Sequence, residues 1–395
     1  MTEMETPLDG LTVLDMSQGV AGPHCAWLLG VQGADVIKVE PPGGDWVRPL
    51  GKTYGEQSCF GVSFTRGKRS IVLDLKKPEA VDVIRTMAKD VDVVLESSRP
   101  GVADRLGIGY KDLSEVNPAL IYVSVTGYGQ TGPNAKLPCT DGIAQAFSGF
   151  MADNFGPDGI PHRVNNIPVD VVTGLYAVNA VFGALMGRMK HGRGKFLDIS
   201  LMQSIAAFTS PKIAEAHLVE KPMRTVNVPS GIFKTKDGWI VSVIIKNEDF
   251  PGMCQVMGLP ELADDPRFAT FESRAEHEDE LMPAMRARKM EKTTAEWEAL
   301  YKAADMLCEP VNTYRDWLSQ PQVTETDAAP LADQPEMGRV PLPRLPGVDR
   351  SPADLSPAPL IGEQGEEILR QFGYDDQAID RLASAEAVSF RGEDK

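Results

Sequence analysis

The sequence predicts an α/β protein: a Rossmann-like large domain on a mainly parallel sheet, accompanied by a smaller α+β domain. Three observations carry this expectation. Short β-rich runs alternate with helical stretches from Leu11 to Thr126. The character of the chain changes from Pro229 to Gln322, and 395 residues are enough for two hydrophobic cores.

In order, LTVLDMS (Leu11 to Ser17) reads as a strand, Gly22 to Ala34 as a helix and Asp35 to Glu40 as a strand. SIVLDL from Ser70, a helix from Pro78 to Lys89, VDVVLESS from Val91 and LIYVSVT from Leu120 continue the series. Such alternation places helices on both faces of parallel strands. A long apolar helix follows from Val169 to Lys190, with Pro168 where a helix start tolerates proline and HGRGK ending it. FLDISL is then a strand and MQSIAAF a helix. Beyond Pro229, FKTKDGWIVSVI signals a hairpin turning at Asp237 and Gly238, with helices at Glu248 to Met257, His277 to Arg288 and Thr293 to Ala303. Residues 330 to 361 are rich in proline, the composition of an extended connector, and the last segment returns to amphipathic helix. The expected layout is therefore 1–210 for the first part of the large domain, 211–228 a linker, 229–322 the small domain, 323–361 a proline-rich linker, and 362–395 completing the large domain.

A net charge of −16 argues against nucleic-acid binding, which needs clustered Lys and Arg in excess; a local basic pocket for one anionic ligand stays compatible. Five cysteines, Cys25, Cys59, Cys139, Cys254 and Cys308, are scattered without CxxC pairing and suit a reducing compartment. The acidic start, MTEMETPLDG, lacks the basic and apolar regions of a secretory signal, so a cytoplasmic location is expected. The longest apolar candidate, Leu175 to Met186, falls short of the ~18 residues of a membrane span, so no membrane partner is expected.

GYGQTG (Gly127 to Gly132) fits a GxGxxG pattern after a strand, but Pro133 and its successors do not open the helix that dinucleotide binding requires, so a glycine-rich turn is the reading. The five histidines show no metal-ligand spacing and no GxSxG elbow is present, so neither a metal site nor a serine nucleophile is expected. Asp170 stands out. It falls in the first turn of the long helix, where free N–H groups and the helix dipole favour an ionised carboxylate, a usable nucleophile. The bland alternative is a residue that stabilises the helix end.

Eight ordered motifs, PLDGLTVLDMS, AGPHCAWLLGVQGADVIKVEPPGGDWVRP, GKRSIVLDLKKPEA, SRPGVADRLGIGY, NPALIYVSVTGYGQTGP, DGIAQAFSG, PVDVVTGLYA and GRGKFLDISL, together resemble the class III CoA-transferase family, of CaiB/BaiF type. The likeness continues through DGWIVSV, DPRFATFESRAEH, TTAEWEAL, EPVNTY and APLIGEQGEEIL, covering nearly the whole chain. The resemblance implies that Asp170 is the catalytic nucleophile that carries CoA as an aspartyl thioester between an acyl-CoA donor and a small carboxylic acid. It implies CoA contacts from Val20, Ala21, Ser97, Ser98, Arg105 and Leu201; by pattern alone Arg105 is equally an exposed helix charge and Leu201 simply core. It further implies an interlocked, ring-shaped homodimer, with coenzyme A as a substrate and no prosthetic group.

Departures from the family pattern bear on specificity. Val20 stands where formyl-CoA transferase has glutamine and Thr140 where it has tyrosine, its glycine-rich loop is missing near Pro229 to Ile232, and Gln364 replaces a common histidine. Formate and oxalate are therefore poor expectations. The racemases of the same superfamily use a histidine where Thr140 stands, and a hydroxyl is too weak a base for that role. Thr140, Asp141 and Gln145 are expected to position substrate, the latter two alternatively to cap a helix. An epimerase and an inactive CoA-binding protein are the alternative functions.

Overall fold

The computed structural model describes residues 6–156, 159–220, 227–348 and 356–391. These form two compact units, Met1–Pro211 with Ala328–Lys395, and Lys212–Asp327. Of the expected linkers, 212–220 and 227–228 fall to the small unit and 328–348 and 356–361 to the large one, while 221–226 and 349–355 lie outside the described residues.

The large unit is built on seven strands: β1 (Thr12–Asp15), β2 (Asp35–Glu40), β3 (Arg69–Leu73), β4 (Val93–Glu96), β5 (Ile121–Thr126), β6 (Lys195–Ser200) and β7 (Val388–Ser389), arranged β7-β3-β2-β1-β4-β5-β6. β1 to β6 pair in parallel; β7, from the C-terminal segment, runs antiparallel against β3. Both faces of the sheet are covered, which is why its strands read as continuous apolar runs. Val13, Val93, Val123 and Val125 pack on one face against the helices Ala21–Val31 and Pro168–His191 through Cys25, Leu29, Ala177 and Val181. Leu14, Ile37, Ile71 and Val94 pack on the other against the helices Pro78–Met87, Gly365–Gln371 and Asp376–Ser384. The C-terminal segment therefore completes both the core and the sheet edge.

After β1 the chain builds outward to β2 and β3, then crosses back to place β4 on the other side of β1. The loops leaving the carboxyl ends of β1 and β4 must diverge there, and the crevice between them is where open α/β sheets bind ligands.

The proline-rich stretch is more than a connector. Leu331–Gln334 pairs with Gly338–Pro341 in a hairpin, and Ala332, Leu342 and Ala358 pack with Val62 in the large unit. Proline is tolerated at such strand ends because no ladder donor is lost. The small unit has the expected hairpin, Gly231–Lys234 with Trp239–Ser242, joined by Cys308–Pro310. Helices Asp249–Met257, Glu278–Lys289 and Thr294–Ala303 cover it through Phe250, Met253, Met285, Trp297 and Tyr301.

Candidate active site

At the crevice beyond β1 and β4 lies a cleft of about 380 Å³. Of the residues singled out in the sequence, Asp170, Val20, Ala21, Ser97, Ser98, Thr140 and Leu201 line it together. Arg105 and the pair Asp141 and Gln145 do not.

Two tight turns make the floor. Met16 N–H donates to the Leu95 carbonyl at 2.8 Å and Gln18 N–H to Ser97 Oγ at 2.9 Å, tying the turn after β1 to the turn after β4. Gly22 lets this turn close, since a Cβ there would stand 2.4 Å from Ser17 Cβ. Behind the turn lies a buried ion network that the sequence reading did not find. Lys38 Nζ is 2.8 Å from Asp45 Oδ2, Lys68 Nζ is 2.8 Å from Asp15 Oδ2, and Arg48 grips Glu40 with two bonds of 2.7 Å. Burial pushes the Asp15 and Glu40 carboxyls up, but Lys38 and Lys68 around Asp15, and Arg48 and Lys38 around Glu40, outweigh it and hold both below the ordinary range. A hint was legible: Lys38 and Glu40 are charged residues within the buried part of the strand Asp35–Glu40.

Asp170 enters from the helix Pro168–His191. This helix starts from Ile167 at φ 43°, a left-handed conformation that strains a β-branched residue. Val169 N–H donates to Asp141 Oδ2 at 2.8 Å and Asp170 N–H reaches the same oxygen at 3.3 Å. Asp141 thus caps the helix from outside it. Gln145 Nε2 donates to the other oxygen of Asp141 at 2.6 Å and to the Val164 carbonyl at 2.9 Å, while Val164 N–H returns to Gln145 Oε1 at 3.0 Å. Both side chains are buried, so they hold the segment leading to Asp170 and reach the cleft only through it.

This capping reverses the electrostatic expectation drawn from the sequence. The first-turn N–H groups expected to stabilise the Asp170 carboxylate are spent on Asp141, and no described residue donates a hydrogen bond to the Asp170 side chain. Burial and the Asp141 carboxylate push the Asp170 pKa up to about 7, with Arg163 pulling the other way. Asp170 therefore titrates near neutrality, and its ionised form is a poorly solvated, nucleophilic carboxylate.

Thr140 is exposed at the start of the helix Asp141–Phe147. Arg105 sits exposed on Val102–Leu106 and is not among the residues that line the cleft. Trp46, Arg99, Leu137 and Cys139 also line the cleft and were not singled out in the sequence. They come from three separate loops, after β2, β4 and β5, which a linear reading cannot assemble. GYGQTG forms a turn after β5, without a following helix, and Gly127 allows Cys139 to approach it where a Cβ would stand 2.2 Å away. His24 is buried beneath the cleft, its ring 5.7 Å from that of Trp27, and burial pushes its pKa down to about 4, so it is neutral.

Comparison with known proteins points one way. The family model of CoA-transferase family III matches residues 8–365. The chain is 35% identical to the human (Homo sapiens) succinyl-CoA:glutarate CoA-transferase, over 97% of this chain and 90% of that protein. It is 34% identical to the acetyl-CoA:oxalate CoA-transferase of Acetobacter aceti, over 93% and 96% of the two chains. Among solved structures, a CaiB/BaiF family protein from Brucella suis superposes with a TM-score of 0.82 at 31% identity, over 93% of this chain and all of that one.

Proposed function

The chain belongs to CoA-transferase family III, and from that premise we propose that it moves CoA from an acyl-CoA donor to a small carboxylic acid with Asp170 as the covalent carrier. The observation that supports this reading is the raised carboxyl of Asp170, to which no described residue donates a hydrogen bond, in the cleft at the switch point among Val20, Ala21, Ser97, Ser98 and Leu201.

In the proposed sequence an Asp170 carboxylate oxygen attacks the thioester carbon and the C–S bond breaks, giving a mixed anhydride and CoA thiolate. The thiolate attacks the aspartyl carbonyl, releasing the donor acid and leaving an aspartyl-CoA thioester. The acceptor carboxylate attacks that thioester, the thiolate leaves again, and its return to the new acyl carbonyl frees the product thioester and the Asp170 carboxylate. Every step exchanges one acyl bond for another, so no net proton transfer is needed. Val20, Ala21, Ser97, Ser98 and Leu201 are proposed to hold the pantetheine end. CoA reaches far beyond its thioester, so Arg105 is retained as a partner for the phosphates of the nucleotide end. Racemisation would need a second base, and the cleft offers Thr140 at the corresponding position.

A homodimer belongs to the same proposal, supported by large exposed apolar side chains on the Pro168–His191 and Leu201–Phe208 helices: Met186 is 67%, Met189 82% and Phe208 54% exposed. So does a cytoplasmic location, supported by cysteines that are all unpaired among the described residues. The test of the activity is CoA exchange between thioesters and a panel of acids, followed by mass spectrometry. Wild type is expected to exchange and Asp170→Ala to lose at least about 10³-fold in rate, the usual scale for a lost nucleophile. Equal exchange by both proteins would remove Asp170 from the mechanism.

A further inference from the structure

Resting on the CoA-transfer reading, we infer that Trp46 is the wall against which the acyl group packs, and that the preferred donor carries an apolar chain or ring beyond its thioester carbon. Trp46 lines the cleft with Asp170 and is 54% exposed, yet its neighbours Asp45 and Val47 are 1% and 0% exposed. The backbone on either side is fixed. Asp45 N–H donates to Glu40 Oε2 at 2.8 Å, Val47 N–H to Asp45 Oδ1 at 3.1 Å, and Arg48 N–H to the Asp45 carbonyl at 3.0 Å. Asp45 and Glu40 are in turn held by Lys38 and Arg48 within the ion network. The indole lies directly on Gly19, where a Cβ would fall 2.2 Å from Trp46 Cζ2 and where φ is +80°. Gly19 N–H closes the arrangement by donating to Asp45 Oδ1 at 2.9 Å.

A large aromatic side chain left open to solvent on a rigid loop, inside a reactive cleft, is a preorganised apolar contact. It sits on the turn that leads into Val20 and Ala21. Leu137, 51% exposed, lines the same cleft, and Met16, Val125 and Leu201 extend its apolar lining. Among the described lining residues, Asp170 and Arg99 carry the charged side chains. A formyl or oxalyl group has nothing to bury here, whereas a chain of roughly three to five carbons does. Exposed Arg99 is available to a second carboxylate at the far end of such a chain.

The test uses the full-length protein and the variants Trp46→Ala and Trp46→Phe. Steady-state constants and equilibrium binding are measured for acetyl-, butanoyl- and hexanoyl-CoA and for free CoA, together with the mass in solution. Trp46→Ala is expected to raise KM and Kd for hexanoyl-CoA by about tenfold or more, and those for acetyl-CoA and free CoA by less than about twofold, with Trp46→Phe restoring most of the loss. An equal change for every thioester, no change at all, or dissociation of the protein into smaller species would overturn the assignment. Chain-length-dependent binding without any turnover by wild type would overturn the transfer reading alone.

Discussion

At the scale of single residues the proposed chemistry depends on how Asp170 holds its proton. The carboxyl is raised to about 7 by burial first and by Asp141 second. In the proposed mechanism the ionised form is the nucleophile, so kcat/KM is predicted to rise with pH through a single ionisation near pH 7. Asn in place of Asp141 keeps an acceptor for the Val169 and Asp170 N–H groups while removing the like charge, so the acidic limb of the Asp141→Asn variant should move to lower pH. An unmoved limb would show that burial alone sets the value. The same shift has a stability consequence. A folded-state pKa above the unfolded one means that the folded protein binds the proton more tightly, so stability is lost as pH rises through the folded value. Asp170→Asn is uncharged throughout. Its melting temperature relative to wild type should therefore climb between about pH 4 and about pH 7; a constant difference would contradict the shift.

At the scale of elements, the site depends on two helices crossing closely. Gly174, one turn after Asp170, faces His24, and a Cβ there would stand 2.6 Å from the imidazole Nδ1 and 2.9 Å from His24 Cβ. His24 Nδ1 also lies 3.2 Å from the Val171 carbonyl, in the same first turns. Gly174→Ala is predicted to destabilise by about 1–3 kcal/mol in chemical denaturation, the cost of overpacking, and to lower kcat by displacing Asp170. Stability and activity both at the wild-type level would show that the contact is slack. The elements themselves were legible in the sequence. The strand at Asp35 to Glu40 and the long helix beginning at Pro168 lie where hydrophobic period and proline placement put them. What was not legible was contact between distant elements. Asp141 caps a helix 28 residues further on, and Lys38 finds Asp15, Asp45 and the Ser17 carbonyl only after three segments fold together.

At the scale of the whole molecule, the mainly parallel α/β class could be expected from the alternation of elements, whereas the strand order that opens the switch-point crevice is set by how the strands pair in the fold. The hairpin within the proline-rich stretch could not, because proline content reports missing donors and says little of which edges pair. The ion network links these levels, since it joins β1, β2 and β3 beneath the turn that carries Val20 and Ala21. Asp15 and Glu40 are held below their ordinary range, so the stability they contribute is present above about pH 4 and is lost as pH falls through their folded values. Lys38→Met leaves Asp45 and Asp15 short of a partner in the interior and is predicted to cost about 3–5 kcal/mol in equilibrium unfolding. A neutral effect would mean that the network shapes the turn without stabilising the fold.

In the proposed mechanism CoA becomes bonded to one carboxylate. Wild type mixed with an acyl-CoA and quenched within a turnover, then digested and analysed by mass spectrometry, should yield a hydroxylamine-sensitive CoA adduct on the peptide that carries Asp170. The same peptide from Asp170→Ala should be bare. An adduct on any other residue, or transfer at the full rate with no adduct at Asp170, would contradict the account.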